Sequence, residues 1–245
     1  VHCPERAIPG QTLHELVHND RIIGASNEVA QLKVKAIYQS FVKGEVFLTD
    51  LTTAECIKLV ENTSRDVGIA FANELSLICQ ELNVDVYEVI RLANRHPRVN
   101  VLTPGPGVGG HCIPIDPWFL VENTKSGEFV RLARAINDKR PSIVAQQALD
   151  LLDGEVKGKK VGILGVAYKA NVDDCRESPA EAILEYFCNA GVDVSYHDPY
   201  VASWDCPRIT TLGEMDNWAD VIILVTDHEC YSNLSLTTVL LNTRA

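Results

Sequence analysis

Apolar side chains recur three and four residues apart over residues 53–83, "TAECIKLVENTSRDVGIAFANELSLICQELN". Ala54, Ile57, Val60, Val67, Ala70 and Ile78 do not fall on one narrow stripe, the pattern of a helix buried by several neighbours. At 1.5 Å per residue it would run roughly 40 Å, long enough to be a domain's spine, with Thr53 as its predicted N-cap. Before it, residues 1–24 read as a loop, a polar helix-like piece and the strand-like "RIIGA"; a helix follows over about 27–43, then the extended "EVFLTDL" at 45–51. After it come a helix over 84–97 stopped by Pro97, a glycine-rich loop over 103–116, and a helix over 128–152. Pro141 lies inside that last pattern and predicts a kink or two helices.

The period changes at "DGEVKGKK", residues 153–160. "KVGILGVAY" is a continuous apolar run, as a buried parallel strand requires. Ser178 and Pro179 read as N-cap and first helical residue, and Gly191 as the C-terminal stop. "VDVSYHDP" and "VIILVT" supply two more strands. Strand, helix and strand in this order define a βαβ unit, so a largely helical part precedes a small doubly wound α/β domain.

Composition narrows the partners. A net charge of -11 excludes nucleic acid and anionic membrane as bulk ligands, since both need basic surface. No run of about 18 apolar residues is present. The eight cysteines show no Cys-x-x-Cys or zinc-like spacing, so no metal is expected. They read as reduced cytoplasmic thiols, mostly buried.

The candidate chemistry centres on "GPGVGGHCIPIDPWFL", residues 105–120. Gly105, Gly107, Gly109 and Gly110 permit close backbone approach to a ligand ahead of Cys112, a nucleophile if its thiolate is accessible. Asp116 follows four residues later, within reach of the thiol or an attacking water; the other reading is a tight turn around a buried cysteine. Lys58 and Asn62 share a helix face and can aim an ammonium and an amide at one oxyanion, or form a solvated stripe. Glu5, in "CPER", is a candidate general base or an ordinary exposed glutamate. His111 is too near Cys112 in sequence for an easy pairing. "GVAYKANVDDCRESPA" lies where doubly wound sheets bind phosphates, and Lys169 and Arg176 bring positive charge there; Asp173 and Asp174 are expected to pair with one of them or cap a turn. It is not a Gly-x-Gly-x-x-Gly fingerprint.

Taken in order, "CPERAIPG", the long helix, "RHPRVN", the Cys112 loop and "GVAYKANVDDCRESPA" resemble the UDP-glucose/GDP-mannose dehydrogenase family over nearly the whole chain. His111, where other branches carry serine, is similar to the N-acetylhexosamine branch. The resemblance implies oxidation of C6 of a UDP-sugar by two NAD, with UDP-ManNAc as substrate and UDP-GlcNAc as the alternative. Cys112 would form a thiohemiacetal and then a thioester. Lys58 and Asn62 would stabilise the oxyanion, Asp116 would assist the water, and Glu5 the hydrolysis. Arg6, Gly105, Gly107, Gly109, Tyr168 and Lys169 would contact substrate, Arg98 would reach it across a subunit interface, and Arg176 would reach NAD. A family glutamate is replaced by Pro9. The implied organisation is a tail of an NAD domain over 1–24, an all-helical dimerisation domain over 25–155 and a UDP-sugar-binding α/β domain over 156–245, in a cytoplasmic homodimer. With no Gly-x-Gly fingerprint, a fragment inactive by itself is expected. Two other readings are a non-catalytic UDP-sugar-binding module and a β-hydroxyacid dehydrogenase; neither needs the Cys112 nucleophile.

Overall fold

A computed structural model describes residues 1–7, 11–152 and 154–243; Pro9 lies outside the described residues. The chain forms two compact units. The first comprises residues 1–64 and 116–125, the second residues 65–115 and 126–245.

In the first unit, helix α1 (Thr12–His18) leads into β1 (Arg21–Ala25), α2 (Glu28–Gln39) and β2 (Val46–Asp50). The two strands are parallel, with Ile23 opposite Leu48. Asn27 caps α2 by accepting the Ala30 N–H at 2.9 Å. Gln31 binds the strands to the helix, donating to the carbonyls of Ile23 and Thr49. β2 places a strand inside the segment 25–155, and the rest of that described segment is helix and loop. Helix α3 (Leu51–Glu81) begins directly after β2, and α5 (Asp116–Val121) completes the unit. Thr53 is not the N-cap: the Asp50 carboxylate accepts its N–H at 2.9 Å and its hydroxyl at 2.5 Å, so the helix starts one residue after Asp50. An aspartate there also meets the positive end of the helix dipole.

The second unit contains the later half of α3, α4 (Val86–Ala93), α6 (Glu128–Asp150) and a parallel sheet. Asn83, in the left-handed region at φ 55°, follows the end of α3. Asp85 then caps α4, which stops at Ala93, short of Pro97. Helix α6 runs unbroken through Pro141, neither divided nor ended by it. Proline removes one N–H from the ladder, and the burial of Pro141 together with Val144, Ala145 and Ala148 offsets that loss.

The sheet takes β3 (Lys160–Leu164), β4 (Asp193–His197), β5 (Val221–Leu224) and β6 (Val239–Asn242) in the order β4-β3-β5-β6. Helix α7 (Pro179–Ala190) connects β3 to β4, opened by Ser178 and closed by Gly191 at φ 74°. Its Ile183 and Phe187 are fully buried in one core with Val144, Ile163 and Tyr196. Each such side chain contributes about 1.5–3 kcal/mol. Helix α8 (Leu212–Trp218) precedes β5; it and β6 escape the sequence pattern because both are short. The cysteines are not mostly buried: only Cys79 is, while Cys56, Cys112, Cys188 and Cys230 are exposed. Cys56 and Cys188 sit on outward faces of α3 and α7, where a thiol fills no core space.

Candidate active site

Within the first unit, α3 carries Lys58 and Asn62 one turn apart. Asn62 is buried, and its Nδ2 donates to Asp116 Oδ2 at 2.5 Å. An amide and a carboxylate 54 residues apart in sequence are thereby joined. The partner of Asp116 is this amide, not the thiol four residues before it. Lys58 is half-buried and makes no hydrogen bond or ion pair among the described residues, so its ammonium is available to a ligand.

Arg6 is held by Glu61, the residue before Asn62 on the helix. Its Nε donates to Glu61 Oε2 at 3.2 Å, and Nη2 pairs with Glu61 Oε1. A substrate claiming Arg6 must compete with Glu61. Glu5 Oε1 accepts the N–H groups of Arg6 at 2.7 Å and Ala7 at 2.6 Å, with Arg21 Nη1 at 3.4 Å. Partial burial pushes the Glu5 carboxyl up, but these donors together outweigh it and hold it below its ordinary range. That makes Glu5 a weaker base than an unpaired glutamate.

Within the second unit, the glycine-rich loop is gripped at its start. Asn73 Oδ1 accepts the Gly105 N–H at 2.9 Å, and Arg140 Nε donates to the Gly105 carbonyl at 2.9 Å. Asn73 donates in turn to Asn137, and Asn137 to both the backbone and the carboxylate of Asp66, each at 2.9 Å. Arg134 bridges Asp66 and Asp138. Burial pushes the Asp66 carboxyl up, and Arg134 and Asn137 counter this only in part. The sequence reading missed this network. Its signal is helical spacing of polar residues on apolar helices: Asp66 and Asn73 on α3, Arg134, Asn137 and Arg140 on α6.

Further along, Gly107 faces Pro141. A Cβ on Gly109 would stand 2.7 Å from the Glu177 carbonyl oxygen and 3.1 Å from Tyr168 Cβ. Gly110 has φ 89°, donates to the Glu177 carbonyl at 3.3 Å, and leaves only 3.1 Å between a Cβ and the Tyr168 ring. Bare backbone here is what lets the loop lie against Tyr168. Two residues on, Cys112 is exposed. His111 does not serve the thiol: its Nε2 lies 3.7 Å from Asp174 Oδ2 and its ring meets Tyr168 edge-on.

Tyr168 and Lys169 follow β3, both half-buried. Arg176 is exposed and makes a two-point pair with Asp174, Nε to Oδ1 at 2.9 Å and Nη2 to Oδ2 at 2.8 Å. That pair holds the Asp174 carboxyl well below the usual carboxylate range. Arg98, in the turn after α4, is exposed. A cavity of about 490 Å³ lies against Ile69, Asp227 and the loop at Thr103–Gly107, within the size range of small-molecule sites. A smaller one, about 270 Å³, is lined by Asp138, Glu177, Glu181 and Glu185, a charge that repels a diphosphate.

Three domains of one family match this chain in order. The UDP-glucose/GDP-mannose dehydrogenase family's NAD-binding domain matches residues 1–42, its central domain residues 52–139 and its UDP-binding domain residues 162–244. The chain belongs to this family. The NAD-binding match reaches residue 42, past the boundary at 24 expected from the sequence. A UDP-N-acetyl-D-mannosamine dehydrogenase of Methanococcus maripaludis is 47% identical over 96% of this chain and 55% of its own length. The Escherichia coli protein of that name is 44% identical over 93% of this chain and 58% of its own. The structure of a UDP-D-ManNAc dehydrogenase from Pyrococcus horikoshii superimposes with a TM-score of 0.91 at 41% identity, covering 99% of this chain and 60% of that one. The chain thus spans about half the length of the curated relatives it matches. No helix among the described residues is long and apolar enough to cross a membrane.

Proposed function

We propose that this chain supplies the thiol and the UDP-sugar site of an NAD-dependent dehydrogenase that oxidises C6 of UDP-N-acetyl-D-mannosamine to the carboxylate. The observation that carries the reading is the loop itself: its glycines press on Tyr168 of the UDP-binding domain and it presents an exposed Cys112. The names of the relatives support the sugar.

Tyr168 and Lys169 hold the nucleotide, and the cavity at Thr103–Gly107 receives the sugar. NAD, when bound, would supply the hydride acceptor that both oxidations need. The donor set of this chain fits that group in part: Arg176 offers an exposed guanidinium to a phosphate once it releases Asp174. After the first oxidation the aldehyde carbon takes the Cys112 sulfur, and its oxygen becomes the thiohemiacetal hydroxyl. Loss of the C6 hydrogen as hydride and of the hydroxyl proton to water leaves a thioester. Water adds, the carbon–sulfur bond breaks, the thiol is restored and the acid departs. Lys58 and the free N–H of the Asn62 amide stabilise oxygen charge at each tetrahedral stage. Asp116, held by Asn62, takes a proton from the water, and Glu5 assists this step electrostatically. The same reading makes residues 25–155 a dimerisation domain and brings Arg98 to the partner's substrate.

The test joins this chain to an NAD-binding domain of the family and supplies NAD with UDP-ManNAc, UDP-GlcNAc or UDP-glucose. The expected result is two NADH per UDP-ManNAc and none after Cys112→Ala. Equal NADH from the alanine variant overturns the thioester route, and turnover confined to UDP-glucose overturns the sugar.

A further inference from the structure

Two buried ionisable groups at the carboxyl edge of the β4-β3-β5-β6 sheet take no part in the proposed chemistry. Asp198 follows β4, His228 follows β5, and neither side chain has any exposure. His228 Nε2 lies 2.9 Å from Asp198 Oδ2, and its Nδ1 lies 2.9 Å from the backbone nitrogen of Asn171. A backbone N–H can only donate. Nδ1 is therefore the bare acceptor, and Nε2 carries the proton it gives to Asp198. One peptide amide selects the tautomer of a neutral imidazole.

Asp198 is correspondingly well supplied. Its Oδ2 also accepts from the N–H groups of Val166 at 2.8 Å and Ala167 at 3.3 Å, and its Oδ1 from those of Tyr200 at 2.8 Å and Val201 at 3.0 Å. Five donors compensate one buried charge.

These contacts bracket two residues. Val166 and Ala167 precede Tyr168 and Lys169; Asn171 follows them. Asn171 is itself in the left-handed region at φ 61°, and its Oδ1 accepts the Glu229 N–H at 3.0 Å and the Tyr200 hydroxyl at 3.4 Å. Thr226 adds a bond from its hydroxyl to the Ala167 carbonyl at 2.6 Å. The loop that carries Tyr168 and Lys169 thus has its N–H groups tied, before and after that pair, to a single carboxylate–imidazole unit.

We propose that His228 is a positioning residue for nucleotide binding: through Asp198 on one side and Asn171 on the other, it sets the loop that aims Tyr168 and Lys169 at the diphosphate of a nucleoside diphosphate ligand. The inference rests on the reading that Tyr168 and Lys169 bind the UDP-sugar. A small hydrophobic residue at 228 would leave both the Asn171 N–H and one Asp198 oxygen short of a buried partner.

The test uses the 245-residue chain, with UDP as the probe. Calorimetric titration compares wild type, His228→Ala, His228→Gln and Lys169→Ala. Glutamine can donate to Asp198 and accept from Asn171 at once; alanine can do neither. The expected result is UDP binding about tenfold weaker in the alanine variant, the loss of one buried bond, and within about twofold of wild type in the glutamine variant, with unchanged circular dichroism. If alanine prevents folding, His228→Asn, too short to span both partners, takes its place with the same expectation. Imidazole 15N spectra of the wild type, His228 being assigned by its disappearance in the glutamine variant, are expected to show Nε2 protonated and Nδ1 bare. Unchanged UDP affinity in the alanine or asparagine variant, or a protonated Nδ1 at neutral pH, overturns the role of His228. Lys169→Ala separates the two layers. If wild type binds no UDP, or Lys169→Ala binds it as tightly, the reading of Tyr168 and Lys169 fails. If Lys169→Ala weakens binding while His228→Ala does not, the inference alone fails.

Discussion

A glycine's worth depends on what stands where its Cβ would be. At Gly109 that place is taken by the Glu177 carbonyl and Tyr168, so Gly109→Ala forces the Cys112 loop away from its seat. We expect a loss of about 1–3 kcal/mol in urea unfolding, the ordinary cost of overpacking, and faster alkylation of Cys112. Gly105 has nothing within 4 Å of a built Cβ, and alanine there is expected to be nearly neutral by the same assay. The sequence marked both glycines alike; only the neighbours distinguish them. Asp198 carries a second residue-scale prediction. Burial pushes its carboxyl up, but His228 and the peptide N–H groups of Val166, Tyr200 and Val201 overcome this and bring it from 3.8 to about 2. A lowered folded value means stability that is complete above the ordinary value and lost as the pH falls toward 2. The contribution is about 2 kcal/mol. The advantage of wild type over Asp198→Asn in urea should therefore shrink on going from about pH 5 to about pH 2.5; a constant advantage contradicts the assignment.

At the scale of elements, helices and strands start and stop where short-range chemistry says. Ser178, Pro179 and Gly191 bound α7 as their residue types require. The error at α3 is instructive: Thr53 has the right type for a cap, but Asp50 reaches its N–H and hydroxyl first. Asp50→Ala is expected to cost about 1 kcal/mol, read as a lower denaturation midpoint, whereas Thr53→Ala should cost less because only the hydroxyl contact goes. At Pro141 the alternative of two helices falls away, since α6 is a single helix through it. The proline lies in a buried stretch shared with Val144 and Ala145, information that no window of sequence contains. The clamp on Gly105 was illegible for the same reason. Asn73 and Asn137 are 64 residues apart, and each alone reads as a misplaced polar residue on a helix. Asn73→Ala is expected to cost about 1–3 kcal/mol, since it leaves the Gly105 N–H and Asn137 without their partner. Asn137→Ala in the Asn73→Ala background should then add less than it does alone, the mark of a coupled pair.

For the whole molecule, the charge of -11 and the proposed ligand, an anion, look opposed. The opposition is resolved locally. Lys169 sits beside Tyr168 after β3, and the nearby Asp174 is neutralised by its two-point pair with Arg176, while Glu181 and Glu185 line the smaller cavity. If the chain binds UDP, the ligand at about one hundred times its Kd should stabilise it by about 2.7 kcal/mol and raise the melting temperature by several degrees. Lys169→Ala should abolish the rise, and added salt should weaken it.

The order of letters alone determined the αβ alternation, the parallel strands and the family; it overstated the burial of α3, where Val60, Phe71 and Ile78 are exposed. The alternation and the strands follow from period, residue type and short spacing, which act along the chain; the family follows from the resemblance of its motifs. Tertiary structure decided which polar groups meet: Asn62 with Asp116, Asn73 with Asn137 and Gly105, Asp198 with His228 and Asn171. It also decided that His111 turns to Asp174 and not to Cys112, and that Arg6 is engaged by Glu61. A buried polar group takes whichever partner the packing of distant segments brings within about 3 Å.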